Sequence, residues 1–319
     1  MSIQVPGTFI EDPRGESAPQ SSSALGQTAF SEVPGTSSQQ RAIGVFDSGV
    51  GGLSVMREIA RQLPHEDILY FADSANCPYG PRPLEKVRKL SEAITAFLIQ
   101  QGARIVVVAC NTASAASLHH LRATFRVPIV GMEPAIKPAA ERTKSRKVGV
   151  IATQVTFQGE LFARLVERFA ADVDVYTQIC PGLVERVEAG LIDDAETEEL
   201  LVEYLKPMLE AGIDSLVLGC THYPFLRETI ERVVGPAVTV IDPSPAVARQ
   251  TGRVLETKGL ANRPPPQGWG GKRGGRVGQH FFYTSGDPRA FAEAVERLIG
   301  ERGEVQRVRW GMDGQVYIS

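Results

Sequence analysis

The sequence predicts an α/β protein made of two similar domains with mainly parallel sheets. Three observations carry this expectation. Runs of β-branched and small apolar residues alternate with stretches at helical spacing, which is the pattern of β-α-β units. Two of those runs end alike, in V-V-V-A-C-N-T-A-S-A through Ala115 and L-V-L-G-C-T-H-Y-P through Pro224. The segment G-V-F-D-S-G has a counterpart in G-V-I-A-T-Q, which points to a duplicated unit. The chain's 319 residues, 43% hydrophobic and 22% charged, suffice for two cores of ordinary domain size.

Residues 1–40 hold many Ser, Gln, Pro and Gly and few core formers, so they are expected to be a disordered extension. Ordered structure begins with a buried strand from Ala42 to Phe46. A tight loop follows, Asp47 to Gly52, and then a helix marked by Leu53, Val55, Met56, Ile59 and Leu63. Gly49, Gly51 and Gly52 carry no Cβ, so backbone N–H groups of the D-S-G-V-G-G loop can approach an anion. The loop has neither the G-x-G-x-x-G of a dinucleotide site nor the Lys of a Walker loop. A strand from Ile68 to Ala72 runs into a proline-flanked loop that presents Asp73, Tyr79 and Gly80. A helix from Leu84 to Gln101 leads to the first cysteine strand, and an Ala-rich helix from Ala113 to Leu121 follows it. Val127 to Val130 reads as a strand, and the region of Glu133, Pro134 and Pro138 as a crossover.

The second unit repeats this logic. Strands are expected at Val148 to Ala152 and Val173 to Ile179, then C-P-G-L-V-E-R-V-E, a helix to Gly212, and the second cysteine strand at Leu216 to Gly219. Pro224 suits the first helical position of a helix through Phe225, Leu226, Ile230 and Val233. V-T-V-I-D-P-S-P adds a strand and a helix start. Residues 262–279, dense in Pro and Gly, read as a flexible loop insertion in which Lys272, Arg273 and Arg276 are solvated. The chain resumes with a strand from His280 to Thr284, a helix through Phe291, Val295 and Leu298, and a last strand from Val305 to Trp310. The expected domains are 41–135 with 241–319, and 136–240.

The net charge of −3 is spread without a basic stripe, which disfavours nucleic acid and anionic membranes and leaves small molecules as the expected ligands. No apolar run has the length of a membrane span and the first residues lack a signal-peptide pattern, so the expected location is the cytoplasm. The four cysteines, Cys77, Cys110, Cys180 and Cys220, have no C-x-x-C spacing and are expected to be free thiols.

A lone cysteine is usually a small core residue, and Cys77 and Cys180 read that way. Cys110 and Cys220 differ. Both follow strands, both have hydrogen-bonding neighbours, and both lie at the strand ends where α/β proteins bind ligands. Each should stand near a helix N-terminus, where partial positive charge favours the thiolate. One acid and one base of identical chemistry on matched scaffolds is what moving a proton across a carbon centre needs. Structural zinc lacks a second ligand pair, so no metal is expected. A thiol hydrolase built on Cys220 and His222 leaves Cys110 unexplained, and no lysine marks a pyridoxal phosphate site.

F-D-S-G-V-G-G-L-S, A-D-S-A-N-C-P-Y-G, A-C-N-T-A-S-A, G-M-E-P-A-I-K-P-A, G-C-T-H-Y-P and Y-T-S-G-D-P, in this order from about Ala42 to about Trp310, resemble the glutamate racemases. The N-terminal extension and the loop near Trp269 depart from the family pattern, outside the motifs. The resemblance implies two α/β domains related by a pseudo-twofold with the active site in the cleft between them, no cofactor, a homodimer, and production of D-glutamate for peptidoglycan. It implies that Cys110 deprotonates D-glutamate and Cys220 L-glutamate, that Asp47 and His222 assist the two thiols, and that Glu188 rather than Glu185 is a third helper. Ser48, Tyr79, Gly80, Asn111, Thr112 and Thr221, with Asp47 and His222, are then the substrate contacts. The chemistry agrees with this set, because hydroxyls, an amide and backbone N–H groups bind carboxylates without placing a permanent cation beside the thiols. Domain closure would exclude water and strengthen each contact. An aspartate or hydantoin racemase of the same superfamily is the alternative; a binding protein on an inactive racemase fold would lack a cysteine.

Overall fold

A computed structural model describes residues 42–262 and 277–319. The expected extension, 1–40, and most of the expected insertion, 263–276 with its three basic residues, lie outside the described residues. The first unit runs β1 (Ala42–Asp47), α1 (Leu53–Gln62), β2 (Asp67–Ala72), α2 (Leu84–Gln100), β3 (Ala103–Val108), α3 (Asn111–Thr124) and β4 (Ile129–Gly131). Helix α4 (Ile136–Arg142) leads to β5 (Lys147–Ala152), α5 (Gln154–Gln158), α6 (Glu160–Phe169), β6 (Asp174–Ile179), α7 (Leu183–Ala189), α8 (Ala195–Glu210), β7 (Ser215–Gly219), α9 (Arg227–Val234) and β8 (Thr239–Ile241). The chain closes with α10 (Ser244–Thr257), β9 (His280–Thr284), α11 (Pro288–Ile299), β10 (Val305–Trp310) and β11 (Val316–Ile318).

The strands form two sheets, ordered β11-β10-β9-β2-β1-β3-β4 and β6-β5-β7-β8. All pairings are parallel except β10 with β11. Each sheet contains the same doubly wound arrangement, in which a unit's first strand lies between its second and third. In such sheets the connection direction reverses beside the first strand, and the crevice opened there at the carboxyl ends is the natural binding site. The residues after β1 and β3 in one sheet, and after β5 and β7 in the other, occupy that position. The G-V-F-D-S-G and G-V-I-A-T-Q segments are β1 and β5 with their loops, so the sequence similarity coincides with equivalent topology.

Alternation along β1 explains how its sheet is covered. Ile43 and Val45 join a core with Leu53, Met56 and Ile59 of α1, while Ala42 and Phe46 join another with Ile94 and Phe97 of α2. The first of these cores continues into the second unit through Val184, Leu201, Leu218 and Ile230. A third cluster covers the other face of the smaller sheet with Ile136, Phe162, Leu165 and Val217.

Three local expectations change. The Pro134–Pro138 crossover contains a helix, α4, because Pro138 falls in its first turn, where no intrahelical N–H is needed. The chain after Cys220 enters a 3-10 turn, Tyr223–Leu226, before α9. The last strand is β11, not β10: Gly314 adopts φ 76° in the Asp313–Gly314 turn and returns the chain as an antiparallel edge. Among the described residues no helix is long and apolar enough to cross a membrane.

Candidate active site

A small cavity collects side chains from the strand ends of both sheets. The larger sheet supplies Ser48 after β1, Pro78, Tyr79 and Gly80 after β2, and Cys110, Asn111 and Thr112 after β3. The smaller one supplies Thr153 after β5, Val184 from α7, and Cys220, Thr221 and His222 after β7. Hydroxyls, an amide, an imidazole and two thiols dominate its lining, so it suits a small polar molecule. Asn111 is buried, and neither its Nδ2 nor its Oδ1 has a partner within the protein. An orphaned buried amide costs about 1–3 kcal/mol, so this side chain marks a place prepared for a polar ligand.

Cys110 is the N-cap of α3, and its Sγ accepts a hydrogen bond from Ala113 N–H at 3.4 Å. Ser48 Oγ lies 4.0 Å from the sulfur. Asp47 stands behind, fully buried, accepting from Gly49 N–H at 3.0 Å and from Thr221 Oγ1 at 3.2 Å. Burial pushes the Asp47 carboxyl up, against the opposing influence of the His222 charge and the Gly49 N–H. Burial also pushes the Cys110 thiol well above its ordinary value, and the Asp47 charge adds to this, while Ala113 N–H works the other way. The helix end contributes the donor the sequence promised, but desolvation outweighs it, and Cys110 holds its proton.

Cys220 has a different neighbour. Its Sγ lies 3.7 Å from His222 Nδ1, and His222 Nε2 lies 2.7 Å from Glu188 Oε1. Burial pulls the His222 imidazole down, but hydrogen bonds to Cys220, Cys77 and Glu188 hold it well above the usual histidine value. Burial likewise pushes Glu188 up, and its bonds to His222 and to Val50 N–H, the latter 2.8 Å long, bring it below the usual carboxylate value. The pair is an imidazolium facing a carboxylate. Two glycines make the arrangement possible, since a Cβ at Gly51 would collide with the imidazole and one at Gly49 with the Glu188 carboxylate.

Tyr79 is positioned by Asp73, whose carboxylate accepts from Tyr79 Oη at 2.6 Å, Ser285 Oγ at 2.7 Å and Trp310 Nε1 at 2.9 Å. Thr112 Oγ1 and Thr153 Oγ1, 2.8 Å apart, bridge the two sheets across the cavity. Of the residues singled out in the sequence, Ser48, Tyr79, Gly80, Cys110, Asn111, Thr112, Cys220, Thr221 and His222 line the cavity. Asp47 and Glu188 stand behind its thiols, and Glu185 is exposed on α7.

Sequence reasoning missed Thr153, Val184 and Cys77. Thr153 was legible in one respect, because it holds the place of Ser48 in the repeated segment. Cys77, read as incidental, is half-buried with its Sγ 3.5 Å from Glu188 Oε1. Cys77, Glu188 and His222 bring three metal-type donor atoms within 4.8 Å of one another. Cys180 lies in the core as expected.

Residues 43–251 match the Asp/Glu/Hydantoin racemase family. A glutamate racemase of Herpetosiphon aurantiacus is 49% identical over 260 residues, 82% of this chain and 98% of that protein. The crystal structure of a glutamate racemase isoform from Bacillus anthracis superimposes with a TM-score of 0.74 at 36% identity, covering 84% of this chain and 97% of that one. That of a Francisella tularensis glutamate racemase in complex with D-glutamate gives a TM-score of 0.72 at 28% identity, covering 86% and 98%. With paired cysteines on equivalent strands and this extent of likeness, the chain belongs to the Asp/Glu/Hydantoin racemase family, among its glutamate racemases.

Proposed function

We propose that this enzyme interconverts L- and D-glutamate by a cofactor-independent, two-thiol proton transfer at the α-carbon. The observation that carries the reading is one cavity lined by a thiol from each sheet and by an unpartnered amide, Asn111. In one direction Cys110 takes the α-proton of D-glutamate while Cys220, with His222 behind it, delivers a proton to the opposite face. In the other direction Cys220 is the base and Cys110, backed by Asp47, is the acid. Each cysteine abstracts as a thiolate: Asp47 is the carboxyl beside Cys110 that can exchange a proton with it, and the His222 imidazolium held by Glu188 can stabilise the Cys220 thiolate and hand it a proton. Charge building on the substrate carboxylate meets Asn111, Thr112, Thr221 and Ser48, donors fixed in advance, and such preorganisation is usually the largest contribution to a barrier of this type.

The halves that carry the two thiols, 41–135 with 241–319 and 136–240, act as domains that close over the substrate. The enzyme works in the cytoplasm, where its thiols stay reduced, as a homodimer supplying D-glutamate for peptidoglycan. Sedimentation equilibrium tests the assembly.

The reaction is tested by incubating L- and D-glutamate in deuterated water, without added cofactor, with wild type, Cys110→Ser and Cys220→Ser. Wild type should racemise with solvent deuterium in the product. Each variant should lose at least the 10²- to 10⁴-fold that a positioned acid or base supplies. Racemisation by both variants would refute the two-thiol mechanism, and exchange of aspartate in place of glutamate would refute the substrate.

A further inference from the structure

The thiol that the proton-transfer scheme leaves unused stands against the histidine that the scheme needs. Cys77 comes from the loop after β2, Glu188 from α7 and His222 from the turn after β7. We infer that these three side chains form a binding site for a thiophilic divalent cation, Zn²⁺ above all, and that its occupancy displaces the proton His222 carries on Nε2, leaving a metal-bound neutral imidazole beside Cys220, and stops turnover. The inhibitory half rests on the role proposed for His222; the site itself does not.

The geometry is close to what a tetrahedral ion requires. Bonds of about 2.0–2.3 Å at tetrahedral angles put neighbouring donors roughly 3.3–3.6 Å apart. Cys77 Sγ and Glu188 Oε1 are already at 3.5 Å. The 2.7 Å between Glu188 Oε1 and His222 Nε2 is a hydrogen bond, which an ion entering between them would open by roughly 0.6 Å. The Glu188 side chain, 24% exposed, is not locked by complete burial and can make that adjustment. One sulfur, one imidazole nitrogen and one carboxylate oxygen is a set that favours zinc over magnesium or calcium, and three protein ligands leave a fourth position open.

The surroundings support the same conclusion. The missing Cβ of Gly49 leaves room beside both Cys77 Sγ and the Glu188 carboxylate. With Nε2 on the ion, His222 Nδ1–H still faces Cys220 Sγ, the kind of outer partner that orients a ligating imidazole. On binding, the Cys77 S–H proton and the proton on His222 Nε2 pass to solvent, bonds from both atoms to the ion form, and no electron changes hands.

The competing arrangement is an ion held by the two catalytic thiols. Anaerobic titration with Co²⁺ separates them, because a cobalt–thiolate bond adds charge-transfer absorption in the near ultraviolet. The band should appear at one equivalent in wild type and in a Cys110→Ser/Cys220→Ser double variant, and vanish in Cys77→Ala. Persistence in Cys77→Ala, or loss in the double variant, overturns the site. Glu188→Gln provides a second variant at a partly exposed position. It should weaken Zn²⁺ binding by at least the roughly 10- to 100-fold that losing an outer-shell partner costs a metal site, and unchanged affinity would also overturn the assignment. In wild type, Zn²⁺ should abolish racemisation and a chelator should restore it. An enzyme that loads Co²⁺ at Cys77 but turns over undiminished refutes the inhibitory role alone. The cobalt band is read on the protein itself, so it decides the site even if glutamate proves not to be the substrate.

Discussion

Cys110 and Cys220 end equivalent strands of two sheets, yet their surroundings share almost nothing. Cys110 caps a regular helix, takes a backbone N–H from Ala113, and has a buried carboxyl, Asp47, as its neighbour. Cys220 precedes a 3-10 turn and instead faces an imidazole tied to a carboxylate. The two thiols are served by different neighbours. The duplicated scaffold fixes where the sulfurs stand, and positions that differ between the two copies, Asp47 opposite Ala152 and His222 opposite Thr112, fix what stands beside them.

The sharpest test of this comparison breaks one side at a time. Asp47→Asn and His222→Asn should each lower kcat by about 10²- to 10⁴-fold, the usual worth of a positioned proton carrier. The enantiomers have equal free energy in water, so kcat/KM must stay equal in both directions for either variant. The asymmetry appears instead in isotope effects. Slowing the Cys220 step with His222→Asn should enlarge the α-deuterium effect on L-glutamate, and Asp47→Asn should enlarge it on D-glutamate. The opposite pairing would reverse the assignment of faces.

Next in size is Asn111→Ala. An uncharged donor lost from a carboxylate ligand removes about 1.5–3 kcal/mol, roughly 10- to 150-fold in kcat/KM, measured by steady-state assay with both enantiomers. Thr153→Val removes the hydroxyl that meets Thr112 across the sheets. A neutral hydrogen bond of about 0.5–1.5 kcal/mol corresponds to roughly 2- to 12-fold in the same assay.

The smallest effect is on stability. Glu188, lowered from 4.5, stabilises the fold above that value, and this contribution is lost as pH falls through its folded-state value. His222, raised from 6.5, contributes fully below that value, and its share is lost as pH rises through its folded-state value. Melting temperatures of wild type and His222→Asn should therefore differ most between pH 4.5 and 6.5 and converge on both sides. A constant offset across the range would mean the imidazole acts by packing alone.

Much of this architecture was written in the sequence because parallel strands covered on both faces read as unbroken apolar runs. β1, β3, β5 and β7 are such runs, and the cysteines could be set at strand ends without knowing the fold. The features that escaped are those made by contacts between distant segments. Cys77 meets Glu188 across 111 positions, and Thr112 meets Thr153 across 41, so no spacing rule reaches either. The 3-10 turn after Cys220 was obscured by Pro224, which suits the start of either kind of helix. β11 was passed over as too short to show a period, although Asp313–Gly314 marks its turn.

The Thr112–Thr153 bridge and the two-sided lining of the cavity also bear on how the molecule resists unfolding. A ligand held by residues of both sheets is a removable cross-link between two cores. At a concentration about a hundred times its dissociation constant it adds about 2.7 kcal/mol to stability. Either enantiomer should therefore raise the melting temperature of the enzyme that consumes it.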